Sequence, residues 1–384
     1  MRYTTAGESH GPALLAIVSE VPAGIGLSVA AINADLARRQ SGYGRGGRMA
    51  IEHDQAEVLS GLRFGRTLGT PLAIRIANRD GANWSEVMAS EGRPPAELKR
   101  EQAPRPGHAD LAGAQKINTQ DCRDILERAS ARETAARVAA GAVARAYLAN
   151  FGVEIVSYVT RIGDVELPRA EIERKGGLFS TSKIEASEVR CPHAATTETM
   201  KIAIDTACTK GLSLGGWFSV TASGLVPGIG GYAEARERLD GRLGGALLSI
   251  PAIKGVEFGL GFEAGTLTGD KTHDPIVYHK GRFARMSNNA GGLEGGMTNG
   301  EPLMIHAVMK PIPTMTTPLA TVDLITHEPR EASRERSDVC AVPAAAVVAE
   351  AEVALVLADA YQHKFGFDTL AEASTAFENY AKTR

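Results

Sequence analysis

Two alanine- and valine-rich stretches far apart in the chain, Ser130 to Asn150 and Ala341 to His363, constrain the fold more than any other feature. In the first, alanines dominate, Val138 and Val143 mark an apolar side, and Asn150-Phe151-Gly152 supplies a stop. A helix so rich in small apolar side chains packs closely against neighbours on several sides, which places it in the interior. The second stretch opens after Cys340 and is interrupted by Glu350 and Glu352, which excludes a membrane span. Both helices therefore need covering elements, and the rest of the chain supplies them.

Leu14 to Val18, Ala56 to Leu59, Pro71 to Ala77, Val153 to Val159, Trp217 to Ala222, Lys254 to Phe258 and Pro302 to Met309 read as strands. Within them, Ala73-Ile74-Arg75-Ile76-Ala77 alternates and predicts one buried face. Further helices are expected from Ser28, a candidate cap, to about Arg39, then over Thr197 to Thr209, Ala233 to Leu248 and Asp368 to Lys382. Residues 79–106 read as a long polar excursion with a short helix near Trp84 to Ala89, the kind of loop that covers active sites, and residues 160–195 as a charged one. Nothing in the composition marks a linker, a fixed-period repeat or a domain break. The expectation is one α+β domain over residues 1–384, with helices sandwiched between sheets.

Composition narrows the function. With 43% hydrophobic residues in 384, a substantial core is available, and a net charge of −3 argues against a polyelectrolyte binder. Cys122, Cys191, Cys208 and Cys340 are scattered with no CxxC pair, so neither zinc nor a disulfide framework is expected. No signal peptide is evident, and a reducing cytoplasm fits.

The chemistry concentrates in a few polar segments. Gly7-Glu8-Ser9-His10-Gly11 sets an acid, a hydroxyl and an imidazole directly before an apolar run. Pro104-Arg105-Pro106-Gly107-His108-Ala109-Asp110, Glu127-Arg128-Ala129-Ser130-Ala131-Arg132-Glu133 and Arg336-Ser337-Asp338 combine basic and protic groups with small residues, and Gly42-Tyr43-Gly44-Arg45-Gly46 is an arginine-bearing glycine loop. Arginine forks match phosphate and carboxylate, histidine is a general acid near neutrality, and an aspartate beside arginine stays ionised and can act as a base. The pattern describes acid–base chemistry on a polyanionic small molecule. A G-x-S-x-G elbow, a Walker loop and a G-x-G-x-x-G turn after a strand are all absent. Arg128 and Arg132, four apart, would by default share one exposed helix face, paired with Glu127 and Glu133.

Taken in order, these segments resemble the chorismate synthase family. Gly7 to Gly11, Glu127 to Thr134 and Arg336 to Pro343 are similar to its three signatures, and Gly42 to Gly46, Pro106 to Asp110, Lys254 to Glu257, Gly291 to Gly296 and Lys310 to Thr314 also match. The resemblance implies a β-α-β sandwich with a central helical layer between antiparallel sheets, assembled as a homotetramer. It implies a 1,4-anti elimination of phosphate from 5-enolpyruvylshikimate 3-phosphate to give chorismate, dependent on reduced FMN without net redox change. His10 and His108 would be the acids, His10 on the departing phosphate and His108 near the flavin. Asp338 would assist removal of the C6 proton as base or relay, and Ser9 and Ser130 would support proton movement. Arg128, Ala129, Ser130, Pro251, Ala252, Gly295, Lys310, Pro311, Ile312, Pro313, Thr314 and Arg336 would line the flavin site. Arg45, Arg48, Arg132 and His10 would meet the substrate, while Arg39 and Arg45 match arginines assigned to pyridine nucleotide and could equally bind the substrate's anions. Pro251 departs from the polar residue often found there. The insertions of members with their own flavin reductase activity are absent, so an external flavin reductase is expected, with NADPH as an indirect reductant. Two other classes compete: an anion- or RNA-binding module built on the Arg/Gly loops, and a plain NADPH–flavin oxidoreductase. No metal, nucleic acid or membrane partner is expected.

Overall fold

The structure is a computed structural model and describes residues 1–46, 53–95, 97–98, 100–279, 281–333 and 338–383. The N-terminal sheet contains β1 (Arg2–Ala6), β2 (Ala13–Ser19), β3 (Ala56–Ser60) and β4 (Leu72–Ala77), with α1 (Val29–Gln40) between β2 and β3. Its order is β1-β2-β4-β3, antiparallel throughout, with Tyr3 opposite Val18 and Leu14 opposite Ile76. The alternation predicted for residues 73–77 is present: Ile74 and Ile76 are buried while Arg75 bonds Glu57 on the other face. β2 is one-sided too, with Leu14, Ala16 and Val18 inside and Leu15 and Ile17 exposed. Ser28 caps α1 as expected, its Oγ accepting from the Ala31 N–H at 3.1 Å.

Three helices follow: α2 (Asp110–Ile117), α3 (Arg123–Ala129) and α4 (Thr134–Ala149). The second sheet then forms from β5 (Glu154–Ile162), β6 (Val165–Glu166), β7 (Gly216–Ser223), β8 (Ile253–Phe258) and β9 (Leu303–Met309), in the order β8-β9-β7-β5-β6, again antiparallel. Inserted among these strands are α5 (Ala194–Thr209) and α6 (Leu239–Leu248), and the chain ends with α7 (Val342–Phe365) and α8 (Leu370–Ala381).

The two alanine-rich helices pack on each other. α4 also touches β2 and β4 of the first sheet and β5 of the second, and α7 touches β5 and β7. Both are buried over most of their length. The approach is closest at Gly141, where a Cβ would lie 2.3 Å from Ala351 Cβ and 2.5 Å from its Cα. Only the Ala351 methyl group stands between the two helix backbones there.

Glu350 and Glu352, which interrupt the apolar run of α7, are both buried and paired. Glu350 accepts from Arg38 of α1 at 2.9 Å, Arg145 of α4 at 2.6 Å, Arg190 at 3.0 Å, and both the N–H and hydroxyl of Ser157 on β5. Burial alone would raise its carboxyl, but the three guanidiniums outweigh it and hold the group at about 2. Glu352 takes the Tyr3 hydroxyl at 2.6 Å and Arg137 at 3.1 Å. Among the described residues no helix is long and apolar enough to cross a membrane.

Several sequence expectations shift. The helix predicted from Ser130 is broken at its start: Ser130 is extended, residues 131–133 form a 3-10 turn, and α4 begins at Thr134. The helix near Trp84 to Ala89 is a 3-10 turn over Arg79–Trp84. α6 begins at Leu239 rather than Ala233, after a short 3-10 turn at Ala235–Glu237. The charged excursion holds two short helices, Arg169–Lys175 and Thr181–Glu185.

Candidate active site

The loop between β1 and β2 carries Ser9 and His10 onto α3. Ser9 is buried and its N–H donates to the Glu127 carbonyl at 3.0 Å. The His10 N–H donates to Glu127 Oε2 at 2.8 Å, and His10 Nδ1 lies 3.0 Å from both Glu127 oxygens. Arg123 reaches the same carboxylate at 2.8 Å. Burial would raise the Glu127 carboxyl, but the bonds from His10 and the Arg123 guanidinium keep it below the usual carboxylate range. Trp84, delivered by the 79–84 turn, lies against the His10 ring with centroids 4.2 Å apart. Asn78 ties the loop down through Glu8 O at 3.1 Å and Gly11 O at 2.8 Å.

Next to this loop lies a buried charge cluster. The 3-10 turn after Ser130, whose hydroxyl accepts from the Arg132 N–H at 3.3 Å, turns Arg132 inward. Arg132 donates to Asp54 Oδ1 at 2.6 Å and to Asn78 Oδ1 at 2.9 Å. Arg39, at the end of α1, takes the other Asp54 oxygen at 2.9 Å. Burial, and then the neighbouring Arg132 and Arg45 charges, bring the Arg39 guanidinium down to about 10 despite Asp54. Arg45 pairs with Asp338 at 2.8 Å, and Asp338 also accepts from the Gly46 N–H at 2.7 Å. Among the described residues, three guanidiniums thus gather around two carboxylates, a grouping whose chemistry suits an anionic ligand. Arg39 Nε is buried with no hydrogen-bond partner among the described residues.

This arrangement corrects the default reading of Arg128 and Arg132 as one helical face. The break at Ser130 separates them: Arg132 is buried, whereas Arg128 stays 42% exposed and donates to Gly7 O at 3.0 Å and to Thr5 O and Oγ1 at 2.9 and 2.7 Å.

His108 sits in a second cluster. Its Nδ1 is 2.5 Å from Asp110 Oδ1 and 3.1 Å from Arg105 Nη2. Arg105 also holds Asp110 Oδ2 at 2.8 Å and the Thr314 hydroxyl at 3.1 Å. Burial opposes ionisation of Asp110, yet the bonds from His108 and Arg105 keep its carboxyl far below the ordinary range. Lys310 donates through Nζ to the Gly107 carbonyl and through its N–H to Ala252 O at 3.0 Å. The Pro104–Asp110 segment, the Pro251-Ala252 turn and the Lys310–Thr314 segment, Pro311, Ile312 and Pro313 included, are therefore brought together. α3 links the two clusters: its cap Cys122 feels the charges of Asp110 and Arg105, and Glu127 near its other end holds His10. A seven-residue helix is about 10 Å long. Ala129, its last residue, adjoins Ser130. Gly295 lies apart on the hairpin of residues 293–298, close to Gly230, Gly231 and Arg238 through its neighbour Gly296. Arg48 and Arg336 lie outside the described residues.

Glu127, Asp110, Asp54, Asn78, Trp84 and Arg105 were not singled out by sequence as site residues. Glu127, Arg105 and Asp110 stand inside the polar segments that carry the chemistry, but His53-Asp54-Gln55 has no motif at all. Among the described residues no group of three His, Cys, Asp or Glu side chains is arranged to hold a metal ion.

The family profile described as chorismate synthase matches residues 1–362. The chain is 52% identical over 390 residues to the chorismate synthase of Geobacter sulfurreducens, covering 99% of this chain and 98% of that one. It is 53% identical over 382 residues to that of Rubrobacter xylanophilus, covering 99% and 96%. A crystal structure of chorismate synthase superposes with a TM-score of 0.80 at 42% identity, covering 99% of this chain and 97% of that chain. On the family profile, the sequence identity and the fold, the chain belongs to the chorismate synthase family.

Proposed function

We propose that this protein converts 5-enolpyruvylshikimate 3-phosphate into chorismate and phosphate by a 1,4-anti elimination, as a carbon–oxygen lyase acting on a phosphate ester. The observation that carries the reading is the cluster of buried Arg39 and Arg132 and partly buried Arg45 around Asp54 and Asp338, tied to the His10 loop through Asn78. The substrate bears a phosphate and two carboxylates, and an excess of fixed guanidinium charge stabilises both its binding and the phosphate as it leaves.

The residues also fit reduced FMN. Arg128 and Lys310 are cations at the surface of the two clusters, and a Cβ at Gly295, whose φ is +60°, would meet nothing within 4 Å, so its backbone is open to a ligand. Arg128, Ala129, Ser130, Pro251, Ala252, Gly295, Lys310 to Thr314 and Arg336 would hold the cofactor. When bound, it supplies electron density to the reacting ring and recovers it, with no net redox change. The protein's own groups do the rest. His10 gives a proton to the departing phosphate, His108 is held as an acid by Asp110, Asp338 receives the C6 proton as base or relay, and Ser9 and Ser130 assist proton movement. Arg39 and Arg45 hold substrate anions or pyridine nucleotide, and Arg48 and Arg132 the substrate.

The reading extends to assembly and supply. The whole chain is one domain in which α4 and α7 form a helical layer between the two antiparallel sheets, a view supported by the packing of α4 against both sheets and of α7 against α4 and the second sheet. It works in the cytoplasm as a homotetramer and receives reduced flavin from a separate reductase that draws on NADPH. The test is anaerobic: purified protein, chemically reduced FMN and the substrate should release chorismate and phosphate in equal amounts, and only with reduced flavin. No product, with flavin binding shown separately, would refute the reading.

A further inference from the structure

His10 is gripped on three sides. Its Nδ1 and its own N–H both engage Glu127, Glu127 is engaged by Arg123, the Arg123 guanidinium lies 5.0 Å over the Trp84 ring, and Trp84 lies against His10. The contacts close into a ring of imidazole, carboxylate, guanidinium and indole. Glu127 is buried, so its charge is not dispersed by water. An ionised carboxylate only accepts hydrogen bonds, so Nδ1 is the donor in this pair. That assigns the tautomer: in the neutral ring the proton stays on Nδ1, and the exchangeable one is at Nε2.

We infer that Glu127 is the positioning residue of His10, fixing the Nδ1–H tautomer so that the proton passed to the departing phosphate leaves from Nε2. The inference rests on the elimination proposed above. In that step the C3–O bond breaks with its electron pair on the phosphate oxygen, and the Nε2 proton moves to that oxygen. His10 is left neutral with Nδ1–H still on Glu127. Solvent reprotonates Nε2, and the C6 proton departs to solvent by way of the base, so no oxidant or reductant is consumed. Arg123 keeps Glu127 ionised, so the carboxylate orients the ring without taking its proton. The charged groups on the elements packed around His10 are Glu8 on its own loop, Arg123, Glu127 and Arg128 on α3, Arg132 in the next turn, and Arg79 and Asp80 in the turn that carries Trp84.

Glu127→Gln tests this, because it keeps the shape of the side chain while removing the charge and one of its two acceptor oxygens. Two measurements on the full-length protein decide the matter. In the first, proton–nitrogen NMR of nitrogen-15 histidine, with His10 assigned from a His10→Asn variant, should show the Nδ1–H tautomer in the wild type. In Glu127→Gln that preference should weaken. In the second, kcat should fall by roughly tenfold to a hundredfold while KM for the substrate changes less than about threefold. An unchanged tautomer in a folded Glu127→Gln protein would overturn the assignment, as would loss of substrate affinity with kcat intact. Wild-type protein that makes no chorismate would instead sink the elimination reading, and the NMR tautomer measurement would still decide whether Glu127 governs His10.

Discussion

Replacing Gly141 with alanine probes the centre of the molecule with one methyl group. On propensity alone the change should help, since alanine is favoured over glycine inside a helix by about 1 kcal/mol. Geometry opposes it. The new Cβ would stand 2.3 Å from Ala351 Cβ and 2.5 Å from Ala351 Cα, where carbon atoms need about 3.5 Å or more. Neither neighbour is the end of a flexible side chain, so α4 and α7 must separate by about 1 Å. Overpacking of this kind costs about 1–3 kcal/mol, and the upper end applies where backbone is struck. The net expectation is a loss of about 2 kcal/mol, read as a lower urea midpoint by circular dichroism. Adding Ala351→Gly should recover only part of it, because the α7 backbone at residue 351 still stands in the way of the new methyl group. An unchanged or higher midpoint for Gly141→Ala would refute the close approach of the two helices.

The other predictions concern charge and protons. Glu350, held at about 2 by three arginines, contributes stability that is fully present above the ordinary glutamate range near pH 4.3 and is lost as pH falls towards 2. That contribution is on the order of 3 kcal/mol, so Glu350→Gln should lower the urea midpoint at neutral pH and flatten the acid limb of stability between those values; an unaltered acid limb would contradict the burial of its charge. His10→Ala and His108→Ala should each reduce turnover by about two orders of magnitude or more with folding intact, and wild-type turnover in either would remove that residue from the mechanism. Asp338→Asn should still bind FMN, measured by flavin fluorescence, but turn over poorly; if flavin binding disappears, its role is structural.

The parts of the fold legible in the sequence were those whose signal is local. The alanine-rich composition of residues 134–149 and 342–365 announced buried helices, and alternation at residues 73–77 announced a one-sided strand. β1 escaped notice because Arg-Tyr-Thr-Thr-Ala has no apolar run, and its pairing with β2 is a tertiary fact. α2 and α3 are short, charged and flanked by turn residues, so periodicity had little to act on. The break at Ser130 was hidden for a different reason. Helix propensity continues through it, and what bends the chain is Arg132 reaching Asp54, a partner 78 positions away. In the site, residues within recognisable segments were found, whereas Asp54 and Trp84 acquire meaning only from what they touch.

The end of α1 has a bearing on how this chain can change length. Arg38 and Arg39 are adjacent, so their side chains leave the helix about 100° apart. Arg38 reaches Glu350 in the packed interior, and Arg39 reaches Asp54 in the candidate site. Inserting or deleting one residue upstream within α1 would rotate and shift both at once, taking one guanidinium from each of two buried carboxylates in different parts of the molecule. Insertions and deletions should therefore be purged from this helix, while the exposed hairpin around residues 276–285 is free to gain or lose residues without touching either pair.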